Sequence, residues 1–191
     1  MNNQLALTTI LLRRWVGVLA IALPIVEIII NLISVGKIPS SISDTYYTSG
    51  ISHTYFTGNL FVIAVFLFCY NGYDFIDKFC FTYTGGFLFT IAIIPDRYWL
   101  AVHDIISALA FISMAYISYF QFTKTGLTAT NEKLKRNVIY RTCGIVIISA
   151  LVCIPIQSLF KLHLIIYLEA IMLWAFGFSW LVKGETILKD K

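Results

Sequence analysis

"WVGVLAIALPIVEIIINLISV", from Trp15 to Val35, is the stretch on which the fold turns. An apolar run of this length matches the ~20 helical residues needed to cross the ~30 Å hydrocarbon core of a bilayer. It follows Arg13-Arg14 as a secretory signal would. It is too long for one, however, is interrupted by Glu27, and shows no small-residue cleavage site before Gly36. A retained membrane helix is the better reading. A carboxyl group twelve residues into such a helix needs a partner or a cavity, because charge in hydrocarbon is costly.

Outward from this span the pattern repeats. Further apolar stretches at Tyr55–Tyr70, Phe79–Ile94, Leu100–Gln121, Asn137–Gln157 and His163–Val182 predict an all-α, six-helix integral membrane bundle in a single domain. The second and third are short, and reach adequate length when their interfacial Tyr and Phe residues are included. Composition agrees: the chain is 59% hydrophobic and 13% charged, with a mean hydropathy of +0.81, against roughly 25% charged residues in soluble domains. The net charge of +4 follows the loops rather than one face, which argues against nucleic acid as a partner. Cys69, Cys80, Cys143 and Cys153 have no metal-type spacing and read as free thiols.

Charge in the loops predicts orientation. Arg13, Arg14, Lys78, Lys124, Lys133, Lys135, Arg136, Arg141, Lys183, Lys189 and Lys191 fall on the side of the N-terminus, and only Lys37, Arg97 and Lys161 on the other. Both termini are therefore expected in the cytoplasm, and a bacterial inner (plasma) membrane is the expected location. The loop "GKIPSSISDTYYTSGISHT" (36–54) is then outside, and "FTKTGLTATNEKLKR" (122–136) inside. The basic run of the latter is placed to contact anionic lipid headgroups. "YNGYDFIDK" (70–78) reads as a tight inner turn in which Asp74 and Asp77 cap the third helix, and Gly85-Gly86 as a site of close helix approach.

The embedded ionisable groups collect toward the outer side. Glu27 and Asn31 share a helix face, as do His103 and Ser107, and as do His163 and Tyr167. Glu169 lies deeper on the sixth helix, His53 and Asn59 open the second, and Gln157 closes the fifth. The expected binding cavity comprises Glu27, Asn31, Ser43, Asp44, His53, Asn59, His103, Asp104, Ser107 and Glu169. Against this, His53 and His163 lie near the interface, where a polar ring is cheap, and Asp104 is placed to cap the fourth helix. Glu27 and Glu169 could pair with each other or with His103.

The segment Pro39-Ser40-Ser41-Ile42-Ser43-Asp44-Thr45, six spans, and Val102-His103-Asp104-Ile105-Ile106-Ser107-Ala108 resemble the six-helix Frag/DRAM/Sfk group and related uncharacterised bacterial membrane proteins. That resemblance implies a role in lipid remodelling or membrane homeostasis. A second similarity, to alkaline ceramidase-like hydrolases, is carried by Ser43, Asp44 or Asp104, His53 and His103; the late HxxxH pair and the seventh helix of those enzymes are absent. Three functions follow, the first with the most support and the other two level. The first is a cavity binding a membrane lipid or small amphiphile. The second is a lipid hydrolase with a divalent metal such as zinc, for which His53, His103, His163 and Asp104 are the candidate ligands. The third is a homo-oligomeric pore or membrane-perturbing defence accessory. A proton-coupled carrier relaying through Glu27 and Glu169 ranks below these.

Overall fold

A computed structural model describes residues 3–70, 72, 74–94, 97, 99–125 and 130–188. They form six helices, α1 (Asn3–Val35), α2 (Gly50–Phe68), α3 (Phe75–Ile93), α4 (Leu100–Tyr116), α5 (Asn131–Leu159) and α6 (Ile165–Lys183), with no strand among the described residues. A short 3₁₀ turn (Ser43–Tyr47) separates α1 from α2. A π-type segment, Ile117–Gln121, prolongs α4, with the Phe122 N–H reaching back to the Ile117 carbonyl at 3.0 Å.

The helix starts follow their caps. Ser49 accepts from the Ser52 N–H at 3.1 Å, Asp74 from the Asp77 N–H at 2.9 Å, and Thr130 from the Lys133 N–H at 3.1 Å. Each such bond satisfies one orphaned helix-end donor and is worth about 1 kcal/mol. Hence α2 begins at Gly50 rather than Tyr55, and α5 at Asn131 rather than Asn137. Asp104 is not the cap expected of it: the N-cap position of α4 is Trp99, and Asp104 lies exposed a full turn inside the helix. His163 precedes α6, exposed and with a left-handed backbone (φ 52°), so it shares no helix face with Tyr167.

Each helix packs on its chain neighbour, and α6 closes against α1, so the six form a ring. One end of the ring carries both chain termini: Arg14 Nε donates to the Gly184 carbonyl at 2.8 Å, and Arg13 Nη1 to the Lys183 carbonyl at 3.5 Å. The other end carries the 36–49 loop. At the terminal end a cluster of Tyr70, Phe81, Phe122, Tyr140 and Trp180 fills the interior.

Five helices are long and apolar enough to cross a membrane, and the exception is α3. Asp77, Lys78, three Thr and two Gly dilute its hydropathy. It nevertheless runs the length of the bundle, since Asp77 near its start binds Lys124 beyond α4, and Ile94 at its end binds His103 at the start of α4. Its outward side, like that of every other helix, is apolar: Phe75 is 80% exposed, Ile33 81% and Leu159 82%. A belt of this kind has only lipid as a compatible solvent. All four thiols are free.

Candidate functional site

The 36–49 loop turns inward and plugs the loop end of the ring. Ile42 is buried in the apolar core and Thr45 is fully buried. Ile42 and Thr45 are three apart, so a 3₁₀ turn eclipses them on one inward face. The turn is tied locally, with Asp44 N–H donating to Ser41 Oγ at 3.0 Å, Ser40 Oγ to Asp44 Oδ2 at 2.8 Å and Thr45 Oγ1 to the Ile42 carbonyl at 2.5 Å. Asp44 also pairs with Arg97 at 3.0 Å, and the Arg97 guanidinium lies over the Tyr47 ring at 4.1 Å. His53 packs edge-on against Tyr46 at 4.2 Å. Asp44 and His53 thus serve the plug's own geometry.

Two carboxyl groups hold this plug from either side of the α1–α6 seam. From α6, Glu169 Oε2 accepts the Ile42 N–H at 2.6 Å. From α1, the fully buried Glu27 lies against the plug's Thr45 side chain and accepts a hydrogen bond from the Ser52 hydroxyl at the start of α2. Asn31 braces the same spot, donating to the Glu27 carbonyl at 2.9 Å and to Ser52 Oγ at 3.3 Å. Glu27 Oε1 is buried without a hydrogen-bond partner. Glu27 and Glu169 therefore take separate partners rather than each other.

Between α4, α5, α6 and the plug opens a cleft of about 550 Å³. His103, Asp104 and Ser107 of α4, Glu169 of α6, and Ser40, Ser41 and Ser43 of the plug give it a polar rim. Phe111, Leu151, Ile154, Pro155 and Ile165 make its wall apolar. Ser43, Ser107, Phe111 and Glu169 also border a smaller slot of about 40 Å³ beneath, otherwise closed by side chains such as Leu23, Phe56, Leu88 and Met114. Within the rim the His103 ring is nearly sealed, at 4% exposure, and both of its nitrogens are engaged. Nδ1 lies 2.8 Å from the Ile94 carbonyl and Nε2 3.0 Å from Ser43 Oγ.

Five of the ten predicted cavity residues (Ser43, His103, Asp104, Ser107, Glu169) thus border one cleft. Glu27 and Asn31 form a sealed network beside it, while Asn59 faces α1, donating weakly to the Leu19 carbonyl at 3.4 Å. The expected metal set is not assembled: His53 meets Tyr46, His103 meets Ser43 and Ile94, and His163 is exposed in the α5–α6 connection. Among the described residues no three His, Cys, Asp or Glu side chains could hold a metal ion together.

Sequence reasoning missed the terminal-end polar cluster. Within the basic run Lys133–Arg141, Lys135 and Arg141 are exposed, as contact with headgroups requires. Arg136 is instead buried and donates to the Leu188 carbonyl at 2.7 Å, while Lys133 donates to the Phe122 carbonyl at 2.8 Å and lies over Tyr140. Lys183 is buried against the Phe122 ring. The signal was present in the aromatic residues interleaved with the basic ones. Nearby, Lys124 bridges Asp74 at 2.9 Å and Asp77 at 2.6 Å. Burial works against the Lys124 ammonium, yet its hydrogen bonds to Asp77 and Asp74 outweigh this and raise its pKa above the ordinary value. The Asp77 N–H, and then Lys124, hold the exposed Asp74 carboxyl below the usual range.

The chain matches no protein-family profile, no curated protein and no solved structure. Fold and site therefore rest on the residues themselves.

Proposed function

We propose that this integral membrane protein uses the cleft between α4, α5, α6 and the plug to bind a membrane lipid or small amphiphile, with the loop end outside a bacterial inner membrane and both termini in the cytoplasm. The observation that carries the reading is the cleft's two-part lining, a polar rim of Ser, His, Asp and Glu over a wall of Phe, Leu, Ile and Pro. That order matches a molecule with a polar head and an apolar tail, and a few placed polar groups in an apolar pocket are the usual form of a small-molecule site. The plug motif's resemblance to lipid-remodelling membrane proteins points the same way. The Lys and Arg residues gathered at the terminal end support the orientation.

Ala108 lines the cleft, so Ala108→Trp fills it. Native mass spectrometry of protein released from nanodiscs is expected to show lipid retained by the wild type and lost from Ala108→Trp. It is expected to persist in Thr54→Trp, which alters the separate groove between α1 and α2. Equal lipid retention in all three would remove the proposal.

A further inference from the structure

We infer that Ser43 and His103 are a nucleophile and its general base, and that the cleft transfers an acyl group from an ester of the amphiphile it binds. The inference rests on the proposed binding function and adds a reaction to it.

Geometry comes first. Ser43 Oγ lies 3.0 Å from His103 Nε2, within the reach that lets an imidazole take a hydroxyl proton. The second ring nitrogen fixes the roles. Its partner is the backbone carbonyl of Ile94, 2.8 Å away, which can only accept, so in the neutral ring Nδ1 carries the hydrogen and Nε2 receives the Ser43 hydroxyl. This carbonyl ends α3, at the helix terminus that carries partial negative charge, and favours the imidazolium that forms when the proton arrives. It stands where a carboxylate orients the base of a serine–histidine–aspartate triad.

Position comes second. Ser43 is gripped from both flanks, by the Ile42 N–H bound to Glu169 and by Asp44 bound to Arg97 and Ser40. A reacting group held this way loses little freedom when substrate arrives. A structural tie between plug and α4 would explain the bond alone, but would not require Ser43 to border open space. Ser43 borders both the cleft and the apolar slot below it. In an amphiphile an ester carbonyl sits between head and chain, and Ser43 stands on the cleft's polar rim above its apolar wall. Ser107, one turn along α4 and bordering both spaces, offers a hydroxyl donor to the oxyanion.

The chemistry balances without a metal or redox partner. Ser43 Oγ attacks the ester carbonyl carbon as His103 Nε2 takes its proton. The tetrahedral adduct collapses by breaking the carbon–oxygen bond to the alcohol, which leaves with the proton from His103. The acyl group stays on Ser43 as an ester. Water then attacks that ester with His103 again as base, releasing a carboxylic acid and restoring the hydroxyl.

The test uses the full chain in nanodiscs with a long-chain alkyl fluorophosphonate, read by intact mass and peptide mapping. One phosphonyl group on Ser43 is expected. Labelling is expected to vanish in Ser43→Ala and to slow at least a hundredfold in His103→Gln. Should His103→Gln fail to fold, the site of labelling in the wild type and its loss in Ser43→Ala decide the matter. No label on Ser43, or an equal rate in a folded His103→Gln, overturns the inference. Native mass spectrometry of Ser43→Ala separates the two claims: lipid retained with no wild-type labelling leaves a binding cleft without chemistry, and lipid absent throughout removes the binding reading itself.

Discussion

A methyl group added at Gly177 tests the seam on which the plug depends. A Cβ built there would lie 2.7 Å from the Gly17 carbonyl oxygen and 2.7 Å from Ile21 Cγ1, where ordinary contact begins at 3.4 Å. The Ile21 side chain can turn aside, but the Gly17 oxygen is backbone, so α1 and α6 must part by roughly 0.7 Å to restore normal contact. Overpacking of this kind costs about 1–3 kcal/mol, a factor of roughly 5 to 150 in the folding equilibrium. The strain reaches the site, because Glu27 lies about 15 Å along α1 from Gly17 and Glu169 about 12 Å along α6 from Gly177, at 1.5 Å per residue. Separation of the helices spreads the two carboxyl groups that grip the plug. Unfolding of purified protein in mixed micelles with rising dodecyl sulfate is the assay. Gly177→Ala is expected to lower the midpoint, and Gly17→Ala, which meets the Gly177 oxygen at the same 2.7 Å, to do likewise. The double variant is expected to cost less than the two together, since one displacement relieves both clashes. Gly86→Ala, with nothing within 4 Å of its Cβ, is the control. If Gly177→Ala unfolds where Gly86→Ala does, the argument from close approach is refuted.

Other outcomes follow from particular contacts. Glu169→Leu leaves the Ile42 N–H without its carboxylate acceptor and is expected to cost about 1–3 kcal/mol, with faster amide exchange across Ile42–Tyr47; Glu169→Gln keeps an acceptor and is expected to lose less. The Lys124 bridge carries a pH signature. Its raised pKa means that its contribution is complete below the ordinary value of 10.5 and is lost as pH rises through the folded value. Asp74, held below its ordinary 3.8, contributes above that value and loses its contribution as pH falls through the folded one. Protection of the amides at the start of α3, taken relative to their intrinsic exchange rates, is thus expected to be greatest between these limits; in Lys124→Met the alkaline edge is expected to vanish while the acid edge, carried first by the Asp77 N–H, persists. In a cysteine-free background, Ser49→Cys is expected to react with an impermeant maleimide in intact cells and Thr125→Cys only after permeabilisation; the reverse pattern inverts the orientation.

Hydropathy made the helices legible, because a chain this apolar has few other ways to satisfy its backbone in lipid. Their ends were harder to read. Arg13 and Arg14 look like a boundary in sequence, yet α1 runs on through them, since its far partner uses their side chains to satisfy the last carbonyls of α6. Ser49 was a readable cap, obscured by the aromatic residue chosen as the start of α2. Burial of Glu27 and Glu169 was also readable, because either carboxylate on the lipid face would be prohibitive. Their partners were not: Ser52 is 25 residues from Glu27 and the Ile42 N–H 127 from Glu169, and residue spacing carries no information across such distances. The Ser-rich plug read as a solvated loop because three Ser and an Asp mask the inward step of Ile42 and Thr45. Three histidines stand out in so apolar a sequence, but spacing does not tell that one meets a serine, one an aromatic ring and one the open surface.

Closure of the ring by α6 against α1 has a consequence for biogenesis. Of the six helices, α1 leaves the ribosome ahead of the other five with the Gly17 notch and the buried Glu27, and its main partner is the last of the six to be made. The Glu27 carboxyl meets Ser52 as soon as α2 is made, but until α6 emerges the backbone strip at Gly17 has nothing to cover it, which makes α1 a client for whatever insertase shelters unfinished membrane chains. Assembly of this protein is therefore a post-insertion event, in which the final helix completes the seat for the opening one.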